Sequence, residues 1–203
     1  MTDADVRFIN RSMGFLVGAA FFVGFMWGAM AVAWGQPADD AILEDAVGRL
    51  APHVADEDVV AHVAAARAAA GEVSDGRRRH HVGAELLLAM AWVESRYVRG
   101  VVSRAKGGMF CGYLQEKVRT SAECSRVDAD IEAAYRNAAA HLGDWLTCCR
   151  RAAPRLEPMA CALAGYNGGT AAARAGRRKY VNMVRWRERQ LVERWPVAPR
   201  AGV

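Results

Sequence analysis

One glutamate stands out for the company it keeps. In the stretch Glu85-Leu-Leu-Leu-Ala-Met-Ala-Trp-Val-Glu-Ser-Arg-Tyr97, Leu87, Met90, Ala91 and Glu94 fall at i, i+3, i+4 and i+7, one face of an expected amphipathic helix. That face is apolar until its last member, a carboxylate. Arg96, Arg99 and Gly100 follow, as at a helix end. Burial beside apolar side chains and the negative end of the helix dipole would both push the pKa of Glu94 upward. A carboxyl held protonated near neutral pH can act as a general acid. The competing assignment is a glutamate at a helix end, solvated or paired with Arg96 or Arg99.

Other chemistry-bearing residues carry weaker signals. His80-His81 follows three arginines, and without a third ligand candidate nearby it reads as a solvated turn rather than a metal site. Gly107 to Gly112 lacks the Gly-Lys-Ser/Thr ending and the strand–turn–helix flanks of a nucleotide loop. The five cysteines, Cys111, Cys124, Cys148, Cys149 and Cys161, show no zinc spacing. Neither a metal nor a cofactor is expected. The plausible bridges are Cys111–Cys124 and Cys161 with Cys148 or Cys149, which leaves one thiol over.

The elements that position these residues are mostly helical. Two short helices are expected over Ala41 to about His53 and Asp56 to about Ala70, then a polar turn from Gly71 to Arg79. After the Glu94 helix comes a glycine-rich loop, Arg99 to Gly112, with Val101 and Val102 as a possible short strand. A longer helix from Val127 to about Arg151 carries Ile131, Tyr135, Ala138, Leu142 and Trp145 on one stripe. Asp128, Asp130 and Glu123 look like the start of that helix and its approach. Met159 to Gly165 is helical, and Tyr166-Asn-Gly-Gly169 reads as a break. The last helix, Lys179 to about Trp195, interleaves Tyr180, Trp186 and Trp195 with arginines. Nucleic acid could bind such a helix, but Val181, Val184 and Leu191 give it a face that a core would bury, and no nucleic-acid partner is expected.

The 203 residues are 53% hydrophobic with a net charge of +5, enough for one core plus a membrane segment and suited to an anionic partner. Residues 12–38 carry no charge until Asp39, and the apolar run is long enough to span a bilayer, which needs about 20 residues. Arg7 and Arg11 before it and Asp39 and Asp40 after it place the N-terminus in the cytoplasm. The alternative is a cleaved signal peptide, with Ala31-Val-Ala33 as the cleavage site. Either way the rest is exported, in keeping with disulfide use. Gly14, Gly18, Gly24 and Gly28 form small-xxx-small pairs, a helix-pairing face or the mark of a weak anchor. The expected organisation is a cytoplasmic N-terminus over 1–11, a transmembrane anchor over 12–35, linker and accessory helices over 36–79, a catalytic domain over 80–195 and a tail over 196–203.

Four separated pieces resemble one family, the soluble-lytic-transglycosylase-like enzymes of the goose-lysozyme superfamily. Glu94-Ser95 at the end of an Ala/Leu-rich helix resembles the family's Glu-Ser motif. Gly112-Tyr-Leu-Gln115 is similar to Gly-Leu-Met-Gln, with Tyr113 and Leu114 as departures. Ala162-Leu-Ala-Gly-Tyr-Asn-Gly-Gly169 resembles Ala-x-Ala-Tyr-Asn-x-Gly, with Gly165 inserted or replacing an alanine. Tyr180-Val-x-x-Val184 resembles a late Tyr-Val-x-x-Val helix. The resemblance covers about residues 80–190.

What it implies is a mostly α-helical, lysozyme-like domain behind an N-terminal transmembrane helix, single-pass in the inner membrane with the domain on the periplasmic side. The partner is the glycan strand of peptidoglycan. Glu94 would be the acid/base of a lytic transglycosylase, with Ser95, Gln115, Tyr166, Asn167 and Tyr180 lining the saccharide cleft. No second carboxylate is comparably marked in the sequence. A glycoside hydrolase generally needs two, whereas a lytic transglycosylase needs one. The alternatives are a goose-type hydrolase, a phage signal-arrest-release endolysin, and a non-catalytic wall-binding or assembly protein that keeps the cleft as a groove.

Overall fold

The computed structural model describes residues 40–105 and 108–193. The anchor expected over 12–35, the cytoplasmic segment before it, Trp195 and the tail over 196–203 lie outside those residues. Among the described residues no helix is long and apolar enough to cross a membrane.

The chain is mostly helical. In order it forms α1 (Asp40–Leu50), α2 (Asp56–Ala69), β1 (Gly71–Ser74), β2 (Arg79–Val82), α3 (Ala84–Ser95), β3 (Val102–Ala105), β4 (Gly108–Cys111), β5 (Glu116–Val118), α4 (Ser121–Ala129), α5 (Ile131–Ala152), α6 (Pro158–Ala175) and α7 (Arg178–Val192). The core gathers on α3, which packs against α2, α5 and α7. Here the expectation of an amphipathic helix fails. Ala84 and every residue from Leu86 to Ala91 are buried, so α3 is apolar on all sides. A helix enclosed by neighbours needs no polar face, and the i, i+3, i+4, i+7 spacing selected four of many buried positions. Apart from Glu85 in its first turn, the polar residues come only at its C-terminal turn.

α7 supplies the face expected of it, with Tyr180, Val181, Val184 and Leu191 buried. The helix expected over Val127 to Arg151 is instead two, α4 and α5, parted at Asp130. That residue sits outside helical geometry (φ −122°, ψ 89°), and its side chain accepts from Ala133 N. Such an N-cap is favourable by about 1 kcal/mol, sufficient to restart a helix. α4 starts similarly, with Thr120 Oγ1 accepting from Glu123 N at 3.1 Å and Glu123 Oε2 from Arg119 N at 2.7 Å.

The β-structure was largely illegible in the sequence. Gly71 to Arg79, expected as a turn, is the first part of an antiparallel hairpin, β1–β2, whose actual turn is 75–78. The Arg99 to Gly112 loop holds β3 and β4, joined by β5 into an antiparallel sheet in the order β3-β4-β5. These strands have three or four residues each, and β3 is exposed along its whole length, so no alternation of burial marks it.

Two disulfides fasten this frame. Cys111–Cys124 ties β4 to α4 and Cys149–Cys161 ties α5 to α6, while Cys148 is the remaining thiol. Of the two partners open to Cys161, the structure takes Cys149. The bridged residues are 13 and 12 apart, spans for which loop-closure entropy gives on the order of 3 kcal/mol each.

One titratable group lies deep in the core. His62 on α2 is wholly buried among the rings of Tyr97, Tyr113 and Tyr135. Its Nδ1 is hydrogen-bonded to Tyr135 Oη at 2.9 Å. Burial drives its pKa down to about 4, so it is a neutral imidazole at physiological pH.

Candidate active site

Glu94 occupies the last turn of α3, where the enclosing helices end and the side chain becomes half-buried. The helix stops at Arg96, which adopts the left-handed conformation (φ 57°) and donates its backbone N–H to Trp92 O. Tyr97 is left-handed too, φ 61°. Two consecutive non-glycine residues in that region carry strain of about 1–3 kcal/mol each, a cost that clusters at functional sites. Neither arginine serves as a counter-ion. Among the described residues Glu94 forms no ion pair, and the Arg96 guanidinium lies over the Trp92 ring, 5.2 Å from its centroid.

Without a counter-ion, burial dominates the carboxyl and raises its pKa to about 7. The opposing influence is Tyr180, whose hydroxyl stabilises the carboxylate. That hydroxyl is buried and makes no hydrogen bond of ordinary geometry, so it acts on Glu94 as a nearby dipole rather than as a formed hydrogen bond. Glu94 in turn raises the pKa of both Tyr180 and Tyr166, although for each phenol burial is the larger cause. Glu94, Tyr166 and Tyr180 thus form one electrostatic cluster, drawn from α3, α6 and α7.

The remaining resemblance residues hold this cluster's wall. Ser95 Oγ donates to Tyr113 O at 2.8 Å and to Ala91 O at 3.1 Å. Tyr166 Oη donates to Leu114 O at 2.8 Å. The 112–115 segment is therefore pinned from two helices at adjacent carbonyls. Gln115 turns inward in left-handed geometry (φ 50°). Its Nε2 donates to Val101 O and Gly112 O, each at 3.1 Å, and its Oε1 accepts from Ser103 Oγ at 2.6 Å. Its amide is committed to the loop, and Ser95 supports the same loop rather than Glu94.

Tyr166 and Asn167, expected at a break, are helical. α6 runs through them and kinks at Gly169 (φ 68°, ψ −165°), a conformation essentially reserved for glycine. Gly165 also has a physical reason. A Cβ there would lie 2.4 Å from the Trp145 ring, so the missing side chain lets α5 and α6 approach. Asn167 is exposed one residue beyond Tyr166.

Sequence reasoning missed Glu116, the first residue of β5. It lines a groove of about 330 Å³ together with Gln115, Asn137, His141, Asp144 and Tyr166. Its Oε2 accepts from Asn137 Nδ2 at 3.0 Å, while its Oε1 is buried without a partner. Burial raises its pKa, partly offset by the Asn137 bond. It also helps raise the pKa of Tyr166, as Glu94 does, so the phenol feels both acids. The only sequence signal was its place directly after Gln115. The His141 ring lies tilted against Tyr166 with centroids 5.2 Å apart and accepts from Trp145 Nε1 at 3.1 Å, giving the groove an aromatic side.

His80, expected in a solvated turn, lies on β2 with its Nε2 3.2 Å from the Asp75 carboxylate. Among the described residues no group of three or more His, Cys, Asp or Glu side chains could hold a metal ion. Comparison of the chain with protein-family models, curated proteins and solved structures finds no match.

Proposed function

We propose that this chain is a membrane-anchored lytic transglycosylase with a lysozyme-like domain, acting on peptidoglycan from the periplasmic side. The observation that carries the reading is the convergence of four segments far apart in sequence. Glu94-Ser95, the 112–115 loop, Tyr166 and Tyr180 meet around one carboxyl whose pKa is raised to about 7. They are the same four pieces on which the family resemblance rests.

At neutral pH such a carboxyl is close to half protonated, so it can give and take a proton at little cost. The protonated Glu94 donates to the oxygen linking N-acetylmuramic acid to N-acetylglucosamine, and the C1–O bond breaks. Glu94, now a carboxylate beside the positive charge forming at C1, removes the proton from the muramic acid C6 hydroxyl. O6 closes on C1, leaving a 1,6-anhydro end and a protonated Glu94, with no water consumed. The Tyr180 hydroxyl steadies the carboxylate half of the cycle.

Glu94→Gln tests this directly. Release of fragments from purified sacculi should fall by a factor of roughly 10² to 10⁴, the usual contribution of a general acid, with the thermal midpoint at pH 7 no lower than that of wild type. Full activity in that variant ends the assignment.

A second reading, hydrolysis of the goose-lysozyme type, is favoured by Glu116, the second carboxylate that such a reaction needs. Mass analysis of the released muropeptides separates the two, since an anhydro product is one water lighter than a hydrolysed one. Glu116→Gln would abolish hydrolysis but leave anhydro products forming.

A further inference from the structure

Away from the Glu94 site, and sharing no residue with it, a cavity of about 230 Å³ opens between the β1–β2 turn and the C-terminal end of α5. Its rim is cationic, with Arg77 and Arg78 from the turn and Arg150 from the helix, above a floor that includes Leu146, Leu156 and Pro158. Among the described residues none of the three guanidiniums forms an ion pair. Arg150 is held under the turn, where a Cβ on Gly76 would lie 3.5 Å from its Nη2, and its Nε is buried with no hydrogen-bond partner. A buried charged donor left unpaired in this way is unfavourable until something accepts from it.

The acid lining the cavity does not discharge this rim. Asp75 Oδ1 accepts from the backbone N–H of Arg77 and of Arg78, both at 2.8 Å, and Oδ2 faces His80 Nε2. Its carboxyl is held below the usual range by those backbone bonds, that of Arg78 foremost, and then by His80, with no guanidinium contributing. Three cations lining one cavity and an unpaired buried N–H are therefore left for something outside the chain.

We propose that this cavity is a binding site for a phosphate group borne on an organic ester. Guanidinium forks match tetrahedral oxyanions in geometry and charge. The apolar floor, in a cavity larger than a bare ion, would take the carbon skeleton attached to it. A lipid headgroup and a soluble phosphoester share this chemistry.

The test uses the full chain in a non-ionic detergent. Binding of inorganic phosphate is followed by titration calorimetry against chloride at matched ionic strength. Wild type should bind phosphate saturably. The double variant Arg77→Gln/Arg78→Gln should bind about tenfold or more weakly, as expected for losing charge-assisted hydrogen bonds. Both residues are exposed, so the fold should survive, and an unchanged thermal midpoint verifies it. Arg150→Lys, which keeps the charge but loses the fork, should also weaken binding. Glycerol 3-phosphate and dihexanoyl phosphatidylglycerol then distinguish the sources, with dihexanoylglycerol correcting for micelle partitioning. Tighter binding of the lipid identifies a headgroup site, and equal binding a soluble phosphoester. Phosphate binding no better than chloride, or an unaffected double variant, overturns the proposal.

Discussion

His62 and Glu94 are both ionisable groups taken out of water, and the same force moves them in opposite directions. Burial lowers His62 to about 4 and raises Glu94 to about 7, because in each case it disfavours the charged form. Their surroundings differ in what else is provided. His62 is sealed by three aromatic rings and hydrogen-bonded to Tyr135, with no exposed surface. Glu94 is half-buried at a helix end, where the Tyr180 hydroxyl favours its ionised form. A displaced pKa alone therefore does not mark a reactive group. Access does: His62 Nε2 also lacks a hydrogen-bond partner, but with no exposed surface it is closed to any substrate.

The comparison can be broken most sharply by activity. Glu94→Gln should abolish fragment release, whereas His62→Gln, once corrected for the folded fraction, should leave turnover per molecule unchanged. A comparable loss in both would mean that His62 acts on substrate or that Glu94 does not.

Stability against pH should separate them next. Glu94 has a folded pKa above its ordinary 4.5, so its contribution is fully present below about 4.5 and is lost as pH rises through about 7. His62 has a folded pKa below its ordinary 6.5, so its contribution is present above about 6.5 and is lost as pH falls through about 4. Each window is worth on the order of 3 kcal/mol. In urea denaturation, Glu94→Gln should flatten the alkaline limb and His62→Gln the acid limb. Limbs unchanged by these substitutions would show that neither group has its proton affinity displaced by burial as described.

The smallest effects come from the two tyrosines. Tyr135→Phe removes the partner of His62 Nδ1 and should cost about 1–3 kcal/mol, the penalty for a buried polar atom left unpaired. Tyr180→Phe deletes a hydroxyl that has no ordinary hydrogen bond to lose, so stability should be nearly unchanged. The upper pKa of the pH–rate profile should rise by about one unit or less as the carboxylate loses its stabiliser. A downward move would mean that Tyr180 does not stabilise the ionised form.

Much of this arrangement was legible in the sequence, for identifiable reasons. The Glu94 pKa was readable because a carboxylate closing a run of Leu, Ala and Met has nowhere polar to go. The faces of α5 and α7 showed at helical spacing, with Tyr135, Leu142, Val181, Val184 and Leu191 buried as read. The α3 face was misread because an enclosed helix carries no periodicity to read. Of the five strands only β3 was hinted at, by Val102; the others escaped because three or four residues, several exposed, make no pattern. The role of Gln115 was hidden, since its three amide hydrogen bonds reach residues up to 14 positions away. Glu116 was invisible as a candidate because what singles it out is Asn137, 21 positions along the chain.

α3 is at once the innermost element of the fold and the bearer of the candidate acid. Whatever Glu94 does, it cannot do in a nascent or nicked chain, because that proton affinity exists only when α2, α5 and α7 have closed around the helix. The same coupling leaves little room for adaptation, since residues that tune the acid also decide whether the molecule folds.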